Sequence, residues 1–283
     1  MVRPAGRGLT IDEIVRASSI EIIPLKDAEK KAAAVPTGTT VSITCSPKFG
    51  LSRTLDHVAA ACRSGLRVVP HLAARMVEGR PHLRDFVRRV TDLGVEELFI
   101  VGGDGEEPVG AYSEALDILQ ELGEFDHGLT RLGIGCYPEG HPKIADERLF
   151  EVLSLKQHYA DYMVSQLCFD AFALTGWLRS ARERGITLPL RVGVAAPLQT
   201  RKLIELSVKI GVGQSVRFLS KQHGMVGSLL LGRSYDPMDL LRAVQKEISF
   251  TELSVEGLHL FSFNQVDATL EWLFRATGTE KTG

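Results

Sequence analysis

Eight β-rich runs, nearly all followed by an amphipathic helical stretch, predict an α/β fold for this 283-residue chain, a closed (β/α)8 TIM barrel. Several runs are apolar at consecutive positions, the pattern of parallel strands covered on both faces. Gly65, Gly94 and Gly123 stop helices at intervals of roughly 30 residues, about one strand–helix repeat.

The strands read in order as SIEII (Ser19 to Ile23), TVSITC (Thr40 to Cys45), RVVPHL (Arg67 to Leu72) and ELFIVG (Glu97 to Gly102). RLGIGCY (Arg131 to Tyr137), YMVSQLCF (Tyr162 to Phe169), PLRVGVAA (Pro189 to Ala196) and GLHLFSF (Gly257 to Phe263) complete the set. Between them the helices show a stripe at spacings of three and four; in HLRDFVRRVTDLG it comprises Leu83, Phe86, Val87, Val90 and Leu93. Thr10 and Glu13 form a T-x-x-E capping box that predicts a helix before the first strand. Extra helical sequence from about Thr200 to Ser249 separates strands seven and eight. An open doubly wound sheet would need a glycine-rich turn after the first strand. That strand instead runs into Pro24-Leu25-Lys26. No linker interrupts the chain, so residues 1–283 read as one domain.

Composition narrows the class. Lys and Arg number 33 against 35 Asp and Glu, a net charge of −2, which offers no general attraction for nucleic acid or an anionic membrane. No apolar run reaches the ~20 residues of a membrane span, and MVRPAGRGLT lacks the apolar core of a secretory signal. Cys45, Cys62, Cys136 and Cys168 are scattered, so reduced thiols and a cytoplasmic location are expected and no metal site is predicted. The Phe218 to Leu231 stretch reads either as an interface or as cover for the barrel base.

The chemistry of such a barrel sits at the C-terminal ends of its strands, and the unusual polar residues collect there. Glu21 lies inside the first strand, Thr44 near the end of the second, His71 at the end of the third and Asp104 just after the fourth. Tyr137 ends the fifth, followed by Glu139 and His141; Gln166 is set within the sixth and Asn264 follows the eighth. A buried carboxylate is costly unless paired or protonated. Each residue also has a structural reading: Glu21 as an ion-pair partner, Gly102 to Gly105 as a tight turn, His71 as a bonded core histidine, Tyr137-Pro138 as a rigid turn, Gln166 as a partner for backbone groups. Their convergence on one rim favours a site.

The order S-I-E-I-I-P, V-S-I-T, P-H-L, V-G-G-D-G, Y-P-E-G-H-P and S-Q-L-C-F-D, spanning about Ser19 to Gly278, resembles the methylenetetrahydrofolate reductases. The resemblance implies a (β/α)8 barrel that reduces 5,10-methylenetetrahydrofolate to 5-methyltetrahydrofolate with hydride from NADH or NADPH. It makes Glu21 the acid that protonates the leaving nitrogen as the methylene bridge opens. Asp104 becomes the aspartate that supports the resulting cation, and Gln166 and Tyr137 contact the pterin. Thr44, His71, Gly103 and His141 fall around the cofactor.

The departures concern the flavin. Gly102 stands where the family carries an arginine, Gln157 and His158 where it carries Arg and Lys, and Asn264-Gln265 where it has Asn-Arg. Ile22-Ile23 and Leu167-Cys168 thin the aromatic pairs. Lost cations weaken a pyrophosphate site, so FAD is expected to bind weakly or not at all. Direct transfer from the nicotinamide, or a deazaflavin donor, then comes into view. A pterin-dependent methyl-transfer barrel and a non-catalytic barrel subunit are the alternatives; ring opening at Glu21 speaks against the first.

Overall fold

The computed structural model describes residues 9–25, 27–105, 107–199, 202–203, 205 and 234–278. The first element is helix α1 (Ile11–Arg16), closed by the capping box that its sequence carries. Thr10 Oγ1 accepts from Glu13 N at 3.3 Å, and Glu13 Oε2 accepts from Thr10 N at 2.8 Å. Reciprocal bonds of this kind satisfy amides that a helix start leaves open.

The barrel strands are β1 (Ser19–Ile22), β2 (Thr40–Ile43), β3 (Arg67–Ala73), β4 (Glu97–Val101), β5 (Arg131–Cys136), β6 (Tyr162–Ser165) and β7 (Leu190–Ala195). A two-residue pair, β8 (Leu198–Gln199) and β9 (Ser234–Tyr235), stands apart as an antiparallel ribbon. The last barrel strand is β10 (Val255–Phe261), which lies between β7 and β1 and closes the cylinder. Every barrel pairing is parallel. The (β/α)8 barrel expected from the sequence is therefore present.

Helices α2 (Ala28–Ala33), α3 (Gly50–Arg63), α4 (Arg80–Asp92), α5 (Ala115–Leu122), α6 (Asp146–Lys156) and α7 (Ala171–Glu183) follow the first six strands. Helix α8 (Pro237–Glu247) precedes β10, and α9 (Val266–Thr277) follows it. Of the extra sequence between the last two barrel strands, the structure describes the β8–β9 ribbon and α8; the Phe218 to Leu231 stretch lies outside the described residues. Helix α4 buries Leu83, Phe86, Val87 and Val90 as its spacing predicts, while Leu93 falls past the last turn and is exposed. Gly65, Gly94 and Gly185 follow their helices with φ of 74°, 79° and 81°, the left-handed conformation glycine adopts without strain. Gly123 differs: its φ of −62° continues the helical sense.

Alternation along the strands separates two cores. Ile20 and Ile22 of β1 join the layer between sheet and helices, so Glu21 points into the barrel. The barrel's middle is filled by Val69, Phe99, Tyr162 and Val164. Gly133 makes this packing work, because a Cβ there would stand 2.3 Å from the Tyr162 ring.

Below lies a charged floor from the first turns of four strands. Arg191 donates to Glu256 at 2.8 Å and to Glu97 at 3.0 Å, and Arg131 donates to Glu256 at 2.9 Å. Both guanidiniums lie over Tyr162, at 3.8 and 4.7 Å from its ring centroid. Two cations and two anions thus balance one another where the barrel meets solvent. Among the described residues no helix is long and apolar enough to cross a membrane. Cys45, Cys62, Cys136 and Cys168 are all free thiols.

Candidate active site

Above the middle layer the barrel interior turns polar. Glu21 pairs in register with Ser42 of β2 and with Phe261 of β10, and Ser19 pairs with His259. His259 Nε2 lies 3.3 Å from Glu21 Oε2, and its Nδ1 lies 3.2 Å from Ser19 Oγ. On β3, His71 Nε2 is 2.9 Å from Ser42 Oγ, whose own proton goes to Val69 O at 3.2 Å. Glu21, His71, His259, Ser19 and Ser42 are all buried. Burial pushes the His71 imidazole down to about 4, against the pull of the Glu21 charge.

Glu21, His71 and His259 bring carboxylate and imidazole atoms within 4.8 Å of one another. Ligand atoms about 2.1 Å from a zinc ion stand about 3.4 Å apart, so this group would have to contract to form a metal shell. Hydrogen bonding to the serines describes it as it stands.

The loops above carry the other candidates. Gly103 turns with φ of 100°, and a Cβ there would stand 2.9 Å from Ala73 Cβ. It delivers Asp104 to an exposed position whose charge acts on Tyr137. The Tyr137 phenol is raised above its ordinary range, chiefly by burial. Its ring meets His141 edge-on at 5.0 Å. Burial lowers the His141 imidazole, with nearby Lys143 adding to the shift. Thr44 lies half-buried just beyond β2 and gives its N–H to Ile22 O.

Several placements differ from the sequence reading. His71 is not at the end of its strand but inside it, facing Glu21, because β3 runs on to Ala73. Gln166 stands past β6 rather than within it. The ladder stops at Ser165, and Gln166 Oε1 turns to accept from Leu167 N at 2.8 Å. Glu139 accepts from Phe169 N and Asp170 N, tying the loop after β5 to the start of α7. Asn264 is buried, its amide engaged with the main chain of Ile23. Gln157 caps the far end of α6 and accepts from Thr187 N, ahead of β7, so it lies away from the strand ends where cofactors bind.

His259, Ser19 and Ser42 were not among the sequence candidates. Their signal was strand alternation: Ser19 shares a face with Glu21, and His259 stands two residues before Phe261. A second wall was also missed. Leu167, Phe169, Ala195 and Leu198 pack with Tyr235, Phe261 and Phe263 beside Gln166, so aromatic surface comes from β9, β10 and the loop after β10.

Solved structures that match this chain include a lyase/mutase, provisionally so named, from Burkholderia cenocepacia (16% identity, TM-score 0.48, covering 95% of this chain and 86% of that one). A provisionally named phosphonomutase from the same organism matches at 12% identity and TM-score 0.49, over 94% and 96% of the two chains. An oxaloacetate acetylhydrolase matches at 11% identity and TM-score 0.51, over 92% and 79%. Only the last exceeds a TM-score of 0.5, and at 11% identity it speaks to fold alone. The family profile described as methylenetetrahydrofolate reductase matches residues 25–276, nearly the whole chain. A folate-related reductase role follows in general terms, and the chain belongs to the methylenetetrahydrofolate reductase family.

Proposed function

We propose that this protein reduces the methylene bridge of 5,10-methylenetetrahydrofolate to a methyl group, with hydride from NADH or NADPH and with Glu21 as the proton donor. The observation that carries this reading is the contact between Glu21 Oε2 and His259 Nε2. Ser19 Oγ lies 3.5 Å from Leu258 O as well as 3.2 Å from His259 Nδ1. Glu21 is thus buried beside an imidazole, a pair that can hold and pass on a proton inside the barrel.

The reaction consumes that proton. It passes from Glu21 to the leaving pterin nitrogen as the carbon–nitrogen bond of the bridge breaks. The hydride and its electron pair then reach the iminium carbon, the nicotinamide leaves oxidised, and Glu21 recovers a proton from solvent. Asp104 faces the cation that forms. Gln166 spends its carbonyl on Leu167 N, which turns its amide NH2 to a pterin acceptor. Tyr137 lies along the same rim, and Thr44, Gly103 and His141 frame the nicotinamide. His71 belongs with Glu21 rather than with the cofactor, as a neutral imidazole held by Ser42.

The family ordinarily uses FAD, and the described residues fit a firmly anchored flavin poorly. Gly102 replaces its arginine. Arg75, which the loop after β3 brings alongside, donates to the carbonyls of Gly105 and Ser113. These residues favour direct transfer from the nicotinamide.

The test is anaerobic NADH and NADPH oxidation with methylenetetrahydrofolate and no added flavin, beside Glu21→Gln. Turnover that collapses in the variant is expected. A variant retaining the parent rate would remove Glu21 from the mechanism, and a stoichiometric flavin band in the purified protein would sink direct transfer.

A further inference from the structure

At the exit of β1 five successive main-chain carbonyls, Glu21 to Leu25, each meet a donor. Ser262 Oγ reaches Glu21 O, Thr44 N reaches Ile22 O at 3.1 Å, and Asn264 Nδ2 reaches Ile23 O at 3.0 Å. Arg53 Nε donates to Pro24 O at 3.2 Å, and His57 Nε2 lies 3.2 Å from Leu25 O. Four of these contacts come from side chains, of the loop after β10 and of α3; Leu25 N also donates to Ile23 O at 2.7 Å and Ala28 N to Leu25 O at 3.0 Å.

Asn264 does more than donate. Its Oδ1 accepts from Ile23 N at 2.8 Å, so the amide engages both main-chain groups of Ile23, as a neighbouring strand would. The β1–β10 pairing ends at Glu21 opposite Phe261, and this side chain supplies a further rung. Asn264 N in turn donates to Ser262 Oγ at 3.1 Å, which links the two contacts. The chain reaches this arrangement through Phe263 at φ 47° and Asn264 at φ 59°, two successive non-glycine residues in the left-handed region. Such backbone is strained for a phenylalanine and tolerated by an asparagine. Glycine at 264 would follow the path more easily but would lose both bonds to Ile23.

We propose that Asn264, acting with Ser262, is a positioning residue that fixes the direction of the Glu21 carboxyl toward His259 and the substrate. Neither side chain touches the reacting atoms; both hold the main chain on either side of the acid. The proposal rests on Glu21 being the proton donor. Displacement of a catalytic group by about 1 Å costs up to about a hundredfold in rate, and loss of the Asn264 rung frees the strand exit to move on that scale.

The experiment compares Asn264→Gly, Asn264→Asp, Ser262→Ala and Glu21→Gln with the parent for melting temperature, kcat, KM and the pH profile of kcat. In Asn264→Gly the melting temperature should fall only modestly, because two hydrogen bonds to Ile23 are lost at a position whose backbone glycine adopts without strain. Its kcat should fall about tenfold or more, with KM for methylenetetrahydrofolate within about twofold and the kcat profile displaced in pH. Asn264→Asp keeps the acceptor for Ile23 N and should fall between parent and glycine variant. A glycine variant with kcat within twofold of the parent would overturn the proposal. So would a loss of kcat that follows a loss of melting temperature with the pH profile unmoved. If the glycine variant does not fold, Ser262→Ala and Asn264→Asp decide by the same criteria. Parent-level activity in Glu21→Gln would instead remove the reading of Glu21 beneath the proposal. An inactive Glu21→Gln beside a fully active Asn264→Gly would remove the positioning role alone.

Discussion

At the floor of the barrel two arginines meet two glutamates; nearer its mouth one carboxyl meets imidazoles and serine hydroxyls. Both groups consist of ionisable side chains drawn into the same cylinder, yet they resolve the cost of burial differently. Arg191, Arg131, Glu97 and Glu256 cancel one another's charge through short contacts, with side chains 12 to 32% exposed. Glu21 meets His259 and lies near His71, and neither imidazole brings the permanent charge of a guanidinium. Full charge pairing pins a structure and leaves nothing to transfer. A carboxyl beside imidazoles, which carry no permanent charge, can take up a proton and give it away. The difference between Glu21 and Glu97 is therefore in their partners, not in their residue type.

Substitutions at the two ends should behave oppositely. The largest effect is expected from Glu21→Gln, which should lower kcat by about 10²–10⁴-fold while leaving the melting temperature nearly unchanged, read by NADH oxidation and thermal unfolding. At the floor, Arg191→Met should cost about 3 kcal/mol of stability, the low end for a broken buried pair because both glutamates keep partial exposure. Denaturant unfolding measures this loss, and the rate per folded molecule should hold. A large drop in that rate would erase the distinction between the two groups.

His71 sharpens the comparison through pH. Its imidazole ordinarily titrates at 6.5 and is held at about 4 in the fold. Between those values the unfolded chain binds a proton that the folded protein refuses, so stability is full above about 6.5 and declines as pH falls toward 4, by up to about 3 kcal/mol. His71→Gln should flatten that part of the stability–pH curve; an unchanged slope would assign it elsewhere. The smallest effect is expected at the rim. Gly103→Ala puts a Cβ against Ala73 at a φ of 100° and should cost about 1–3 kcal/mol. It should also raise KM through displacement of Asp104, as initial-rate kinetics would show.

Much of this architecture was legible in the chain. The strands fall within a few residues of their expected places because a barrel strand covered on both faces must be a short apolar run bounded by turns. The first helix announced itself through Thr10 and Glu13, whose bonds span only three residues. Glu21 was legible as a charge in an apolar strand. His259 was harder to see, since one histidine among apolar residues has no meaning until β10 closes against β1, 238 residues away along the chain. Asn264 shows the reverse error: its rim position was read correctly, but its amide serves Ile23. Gln157, read with the cofactor, ends its helix and accepts from Thr187 N.

What the sequence by itself determined was local or periodic: the strand and helix pattern, the capping box, the glycine stops, the family resemblance and the candidacy of Glu21. Which partners each polar group meets was decided only by the tertiary structure. Barrel closure sets the register of β10 on β1, and that register alone brings His259 to Glu21 and Asn264 to Ile23. The reason is physical. Secondary structure follows from interactions a few residues apart, whereas the chemistry of a buried carboxyl depends on the nearest donors in space, supplied here by strands from opposite ends of the chain.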